Sequence, residues 1–170
     1  YKTAWRIGYK IRSLMKQGGN MLSGTVEADE PYVGGRTHMW NKNQNKGVVM
    51  AVVERKGQVI SNHIADNSTY SLLDQIRKNV AFGSRVITDD NGAYKPNKLA
   101  RIGMFHDRVC HSQKEYVRGD IYTNTVEGFF SQLKRSIDGT YHSVSLKHLQ
   151  TYVDQFSYHY NHRTSCFYDL

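Results

Sequence analysis

The stretch from Gly47 to Glu54, GVVMAVVE, is apolar at almost every position, opens on glycine and is followed by Lys56-Gly57. A run this short and this uniformly apolar reads as a buried strand, because a half-exposed strand would interleave polar residues at every second position. Its neighbours in sequence supply a sheet. From Gly24, Val26 and Ala28 alternate with Thr25, Glu27 and Asp29, a strand pattern that ends in an acidic cluster, and Pro31 with Gly34-Gly35 is expected to end it. After the Lys56-Gly57 turn, Val59 to Ile64 reads as a third strand, completing an antiparallel meander. Asn67-Ser68 can cap a helix from Thr69 to Ala81, whose Leu72, Leu73, Ile76 and Val80 form one apolar stripe closed by Gly83. Arg85 to Thr88 then makes a strand that enters the turn Asp89-Asp90-Asn91-Gly92, followed by a short helical stretch from Tyr94 to Ile102 and a strand from Met104 to Cys110.

Residues 111 to 123 are polar and read as irregular. From Asn124 a helical pattern returns with Val126, Phe129, Phe130, Leu133 and Ile137 on one face and Gly139 as its stop; a last helix runs from about Ser145 to Tyr160, with Leu149, Tyr152, Val153 and Phe156 inward. Strands first, then alternation with helices, fits an α/β chain with a mixed sheet flanked by helices. The first fifteen residues form a separate unit, a basic amphipathic helix with Trp5, Ile7, Ile11, Leu14 and Met15 as its apolar face among Lys2, Arg6, Lys10 and Arg12. Gln17 to Asn20 link it to the rest.

Charge narrows the function. The 170 residues carry 23 Lys and Arg against 15 Asp and Glu, a formal net charge of +8, which favours a polyanionic partner. No apolar run is long enough to span a membrane and the first residues lack a signal-peptide pattern, so the expected location is inside the cell. Cys110 and Cys166 are too few and too far apart for a zinc module or a disulfide framework and read as reduced thiols.

Against this basic background, acids stand at three chosen places: Asp29 at the end of the first strand, Asp89 at the end of the fourth, and Glu127 in the first turns of the late helix. Phosphodiester cleavage needs an activated oxygen nucleophile and a stabilised leaving oxygen. A pair of Mg²⁺ or Mn²⁺ ions held by a few carboxylates supplies both. Each acid also has a plain structural role open to it. Asp89 and Asp90 sit in strong turn chemistry, Glu127 complements a helix dipole, and Glu27 shares a strand face with Asp29, so either of those two can reach a metal while Glu30 points away. On the late helix, Asn124, Glu127, Ser131 and Lys134 fall on one stripe, which suits a helix with Glu127 at the ions and Lys134 on a nearby phosphate, or equally a solvated polar face.

Four stretches, VEADEPYVGG (26–35), VITDDNGAY (86–94), HSQKEYVRGDIYTNTVEGFFSQLKR (111–135) and GTYHSVSLKHLQTYVDQFSYHYNHR (139–163), resemble the DDE insertion-sequence transposases, in particular the bacterial group with an N-terminal zinc ribbon, which this chain lacks. The resemblance implies an RNase H-like (retroviral-integrase-like) catalytic domain over 21–170, with residues 1–20 as the end of a DNA-binding region. It also implies two Mg²⁺ or Mn²⁺ ions per site, cleavage at transposon ends with strand transfer into target DNA, action on bacterial nucleoid DNA, and a homo-oligomer on that DNA. Asp29 and Asp89 take the places of catalytic acids and metal ligands. The third place is filled by Glu or Asn in this group, so Glu127 is preferred as the third ligand, with Asn124 orienting a water or the scissile phosphate. Lys42, Lys46, Lys114, Arg118, Lys134, Arg135 and Lys147 are the expected phosphate contacts, and Tyr141 and His142 the expected contacts near the cut. The chain departs from the family pattern at Tyr122, where His is expected, and at Phe130, where Trp is common; both keep an aromatic group and bear on DNA contact. Two other readings remain open, a purely hydrolytic RNase H-like nuclease of the resolvase type and an inactive, domesticated DNA-binding protein.

Overall fold

Strand β3 (Gly47–Glu54) lies between β4 (Val59–Ile64) and β1 (Thr25–Asp29) and runs antiparallel to both. Beyond β1 come β5 (Arg85–Thr88) and β6 (Phe105–Arg108), each parallel to its inner neighbour. The order β4-β3-β1-β5-β6, with β3 alone reversed, is the sheet of an RNase H-like domain. The structure is a computed structural model and describes residues 1–16, 18–19, 21–34, 46–110, 112 and 117–165.

The uniform apolarity of β3 has a direct cause. Val48, Met50 and Val52 point into one core, with Leu72 and Ile76 of α2 (Thr69–Asn79) and Leu99 of α3 (Pro96–Arg101). Val49, Ala51 and Val53 point into a second core, with Phe129 and Leu133 of α4 (Asn124–Ser136) and Leu149 and Val153 of α5 (Leu146–Asn161). Both faces of the strand are covered, so neither needs polar residues.

The structure adds to or departs from the sequence reading at several places. The first strand ends at Asp29, just before Pro31, as the sequence reading has it, but pairing resumes beyond the proline. Tyr32 and Val33 form a short strand, β2, that continues along β3 in the register of β1, as Val26↔Glu54 and Tyr32↔Val48 show. Proline lacks the N–H for a ladder bond, and the ladder breaks there, although the Pro31 carbonyl still accepts from Val49 N–H at 3.1 Å. Helix α2 stops at Asn79 because Val80 leaves it to bridge Leu22, whose N–H and carbonyl pair with Asn79 and Ala81. Gly139 does not end the late helix. Buried Ile137 and half-buried Tyr141 keep the chain coiled through a π-helical turn, Ile137–Tyr141. Finally, α1 (Lys2–Leu14) does not turn its aliphatic face inward. It packs on α5 by Trp5 and Tyr9 against His148 and by the Arg12 guanidinium over the Tyr152 ring at 4.3 Å, leaving Ile7, Ile11 and Leu14 exposed. The surface α5 offers there is aromatic and polar, so rings and a guanidinium match it better than aliphatic side chains do.

Strand β4 is a sheet edge that side chains of α5 close. Asn161 accepts from Val59 N–H at 2.7 Å and donates to the Val59 carbonyl at 3.0 Å, as a neighbouring strand would. Gln150 accepts from His63 N–H at 2.7 Å and donates to the Ser61 carbonyl at 3.4 Å. Replacing Asn161 with Ala strips both Val59 groups of their partners and is expected to cost about 2 kcal/mol, from the usual penalty for unpaired backbone groups, measured as a lower urea midpoint at unchanged slope.

Candidate active site

Strands β1 and β5 are parallel neighbours in the register Thr25↔Arg85, Val26↔Val86, Glu27↔Ile87. The same offset carried to the strand ends sets Asp29 beside Asp89, on strands ~4.8 Å apart. Alternation along β1 turns Val26 and Ala28 toward the α2 core and Glu27 and Asp29 toward α4. The first turn of α4 brings Glu127 to the same place. Asp29, Asp89 and Glu127, with Ala28 and Thr123, line one cleft of about 180 Å³. The Thr123 hydroxyl donates to Glu127 Oε1 at 2.7 Å and fixes the direction of that carboxylate.

What holds α4 in this position is Glu27. Its side chain is fully buried and accepts four hydrogen bonds: from Arg55 Nε at 2.8 Å, Thr125 N–H at 2.8 Å, Thr125 Oγ1 at 2.9 Å and Val126 N–H at 3.1 Å. The carboxylate thus caps the helix N-terminus, where unpaired N–H groups and the helix dipole both favour negative charge. Arg55 is itself committed, donating to the carbonyls of Asp120 at 2.6 Å and Tyr122 at 2.9 Å, with its guanidinium 3.6 Å from the centre of the Tyr122 ring. The sequence left Glu27 open as a metal ligand. Its buried oxygens serve the helix instead, and it does not line the cleft.

The electrostatics of the cleft are those of crowded acids. Burial is the main cause that raises the Asp29 carboxyl above its ordinary value. A hydrogen bond from Glu30 N–H pulls it back, Asp89 and Glu127 push it up again, and Lys134 draws it down. Glu30 is pushed up to about 7, by burial first, against hydrogen bonds from Tyr94 and Asn91, with Asp29 and Asp89 adding to the rise. The carboxyl groups of β1, β5 and α4 therefore feel one another. Among the described residues no three acidic, histidine or cysteine side chains stand close enough together to chelate one ion as they are oriented here.

The alternatives left open by the sequence are separated by position. Asp89 faces the cleft, whereas Asp90 accepts from the Ser112 hydroxyl. Glu127 lines the cleft; Asn124, the first residue of α4, is exposed and does not. Lys134, two turns beyond Glu127, is near enough to Asp29 to act on its charge. Arg135 and Lys147 are exposed, Lys46 is half-buried, and exposed Arg118 donates to the Arg108 carbonyl at 3.2 Å. Tyr141 is half-buried, bonded to Gln155 and packed on Tyr152, while His142 is exposed and donates from Nδ1 to the Asp138 carbonyl. Lys42, Lys114 and Cys166 lie outside the described residues, and Cys110 is a free, half-buried thiol. Thr123, Asn91 and Tyr94 were not singled out from sequence as parts of a site; the Asp-Asn-Gly turn was the available signal for Asn91, and it read only as a turn.

Residues 21–161 match the family profile of the ISXO2-like transposase domain. The chain belongs to this family. A chain of a simian T-cell lymphotropic virus intasome, solved in complex with PP2A regulatory subunit B56 gamma, is similar in fold at 13% identity and a TM-score of 0.48. The match covers 79% of the present chain and 48% of that one, so the present chain spans about half the length of that relative. No curated protein is similar to it in sequence.

Of the two departures from the family pattern, Phe130 is buried and Tyr122 half-buried. Phe130 is buried in the second core against Phe129, and Tyr122 lies under the Arg55 guanidinium. Both pack round the N-terminal half of α4. Because Glu27 is the counter-charge for Arg55 and the cap of α4, replacing it with Ala is expected to destabilise this transposase domain by ~3–5 kcal/mol, the usual cost of breaking a buried pair. Guanidinium unfolding measures this, and a loss below 1 kcal/mol rejects the anchoring role.

Proposed function

We propose that this chain is the catalytic domain of a DNA transposase that cleaves DNA at transposon ends and joins the freed ends to target DNA. The observation that carries the reading is the meeting of Asp29, Asp89 and Glu127 on one cleft, from two adjacent strand ends and a helix that a third acid anchors. Family membership supports it.

The donor set fits a pair of Mg²⁺ or Mn²⁺ ions: it offers only hard carboxylate oxygens, and positive charge there offsets the mutual repulsion felt at Asp29. Asp29, Asp89 and Glu127 are the residues that would hold them. Bound there, such ions supply an activated oxygen nucleophile and a counter-charge for the leaving oxygen. The chain's own part is placement. Thr123 orients Glu127, Lys134 neutralises a phosphate beside the cleft, and exposed Asn124, at the start of α4, steadies the scissile phosphate or a water. Lys42, Lys46, Lys114, Arg118, Arg135 and Lys147 extend the phosphate contacts outward, as the net charge of +8 favours. Tyr141 and His142 stand as contacts near the cut, His142 the more accessible of the two. Residues 1–20 act as the end of a DNA-binding region. Holding two transposon ends together calls for a homo-oligomer on DNA, in the cytoplasm and on the bacterial nucleoid.

Two measurements test this. Asp89→Asn is expected to abolish Mn²⁺-dependent cleavage and joining on the element's own end sequences, a loss of at least a thousandfold, while leaving DNA binding within a few-fold. Retained cutting rejects the site, and cutting without joining supports the purely hydrolytic reading. Separately, Mn²⁺ at about a hundred times its dissociation constant is expected to stabilise the wild type by ~2.7 kcal/mol by mass action. The melting temperature then rises by several degrees, and EDTA or Asp29→Asn removes the gain.

A further inference from the structure

Glu30 has no part in the metal site as proposed, yet it is among the most constrained acids of the chain. It is 9% exposed and sits at the break between β1 and β2, on the side of the sheet away from α4. One carboxylate oxygen accepts from Asn91 Nδ2 at 2.6 Å and the other from the Tyr94 hydroxyl. Both donors follow β5, and Tyr94 is itself fully buried. Glu30 therefore ties the chain leaving β1 to the chain leaving β5.

The same residues also aim the two aspartates. The backbone N–H of Glu30 donates to Asp29 Oδ1 at 2.8 Å, and the backbone N–H of Asn91 donates to Asp89 Oδ1 at 3.0 Å. The Asn91 side chain is held at its other end too, where Oδ1 accepts from Ala93 N–H at 3.0 Å and caps the helical turn Gly92–Tyr94. The arrangement is reciprocal: each aspartate has one oxygen fixed by an N–H just beyond it, and the residues that supply those N–H groups are bonded to each other through Asn91 Nδ2 and the Glu30 carboxylate. Strand pairing alone does not provide this, because the described β1–β5 ladder ends at Glu27↔Ile87, two residues short of the aspartates.

We infer that Glu30, clamped by Asn91 and Tyr94, is a positioning residue that sets the relative placement and direction of the Asp29 and Asp89 carboxylates. It is neither a ligand nor a proton carrier in this role. Its relevance to catalysis rests on the function proposed above, whereas the clamp is a statement about the protein alone.

The test uses the whole chain with three substitutions, Tyr94→Phe, Glu30→Gln and Glu30→Ala, each checked for native folding by near-ultraviolet circular dichroism. Tyr94→Phe keeps the buried ring and every carboxylate and removes one bond to Glu30, so it carries the test if Glu30→Ala fails to fold. Two quantities are read: hydrogen exchange of the Glu30 and Asn91 amides by NMR in the metal-free protein, and Mn²⁺ affinity by electron paramagnetic resonance without DNA. Tyr94→Phe is expected to speed exchange at both amides. It should also weaken Mn²⁺ binding ~10-fold, at the lower end of what loss of an orienting partner costs a metal site. Glu30→Gln, which retains one acceptor, should fall between Tyr94→Phe and Glu30→Ala. In cleavage assays the Mn²⁺ concentration for half-maximal rate should rise while the rate at saturating Mn²⁺ stays within about threefold. Unchanged amide exchange in folded Tyr94→Phe overturns the clamp. So does Mn²⁺ binding that Glu30→Ala loses but Tyr94→Phe retains in full, which would make Glu30 itself a ligand. If the wild type binds no Mn²⁺ while the amides still depend on Tyr94, the clamp stands and the proposed metal chemistry falls.

Discussion

The arrangement of the cleft depends on one buried carboxylate that never reaches it. Glu27 accepts two N–H groups at the start of α4 and the Thr125 hydroxyl, and it pairs with Arg55, which reaches across to the carbonyls of Asp120 and Tyr122. Burying a charge in a protein interior is costly unless its hydrogen bonds are satisfied, and here four donors satisfy it. The position of α4 is therefore fixed at its first turn, where it matters most, since Glu127 and Thr123 belong to that turn. Further along the helix, Phe129 and Leu133 maintain the contact by packing in the second core.

A second consequence of the same strand concerns polarity. Residues on the α4 side of β1 are Glu27 and Asp29, and those on the opposite side are Val26, Ala28 and, past them, Glu30. The acids are thus divided between two environments. Asp29 meets Asp89 and Glu127 at a cleft open to solvent, while Glu30 is enclosed with a phenol and an amide. In a protein with formal charge +8, this concentration of negative groups at one end of the sheet is a local exception. Lys134 is the described cation that moderates it at Asp29.

Much of this was legible in the residues. The limits of β3, β4 and β5 follow from apolar runs and turn residues, and Asp29 and Asp89 stand out because one ends β1 and the other directly follows β5. Glu127 and Asn124 fall on one helical stripe, so periodicity alone leaves both as candidates; tertiary structure adds that Glu127 lines the cleft and Asn124 does not. The anchoring by Glu27 was not legible, because its partners Thr125 and Val126 lie 98 and 99 residues away. Nor was the seating of α1, where Trp5 of the expected apolar face is joined by Tyr9 and Arg12 on the aromatic surface of α5 while Ile7, Ile11 and Leu14 stay exposed. Asn91 shows a different difficulty: the residue that makes a good turn is also the one that bonds Glu30, and local chemistry displays only the first role.

The closure of β4 by Asn161 and Gln150 has a bearing on how the protein is made. About a hundred residues separate Val59 from Asn161, so a ribosome must finish nearly the entire domain before the margin of the sheet receives its cover. Until then, the growing polypeptide presents an uncapped row of amides and carbonyls to which any other nascent strand can attach, the hazard typical of open sheet edges. Docking of α5 is therefore the step that covers this edge.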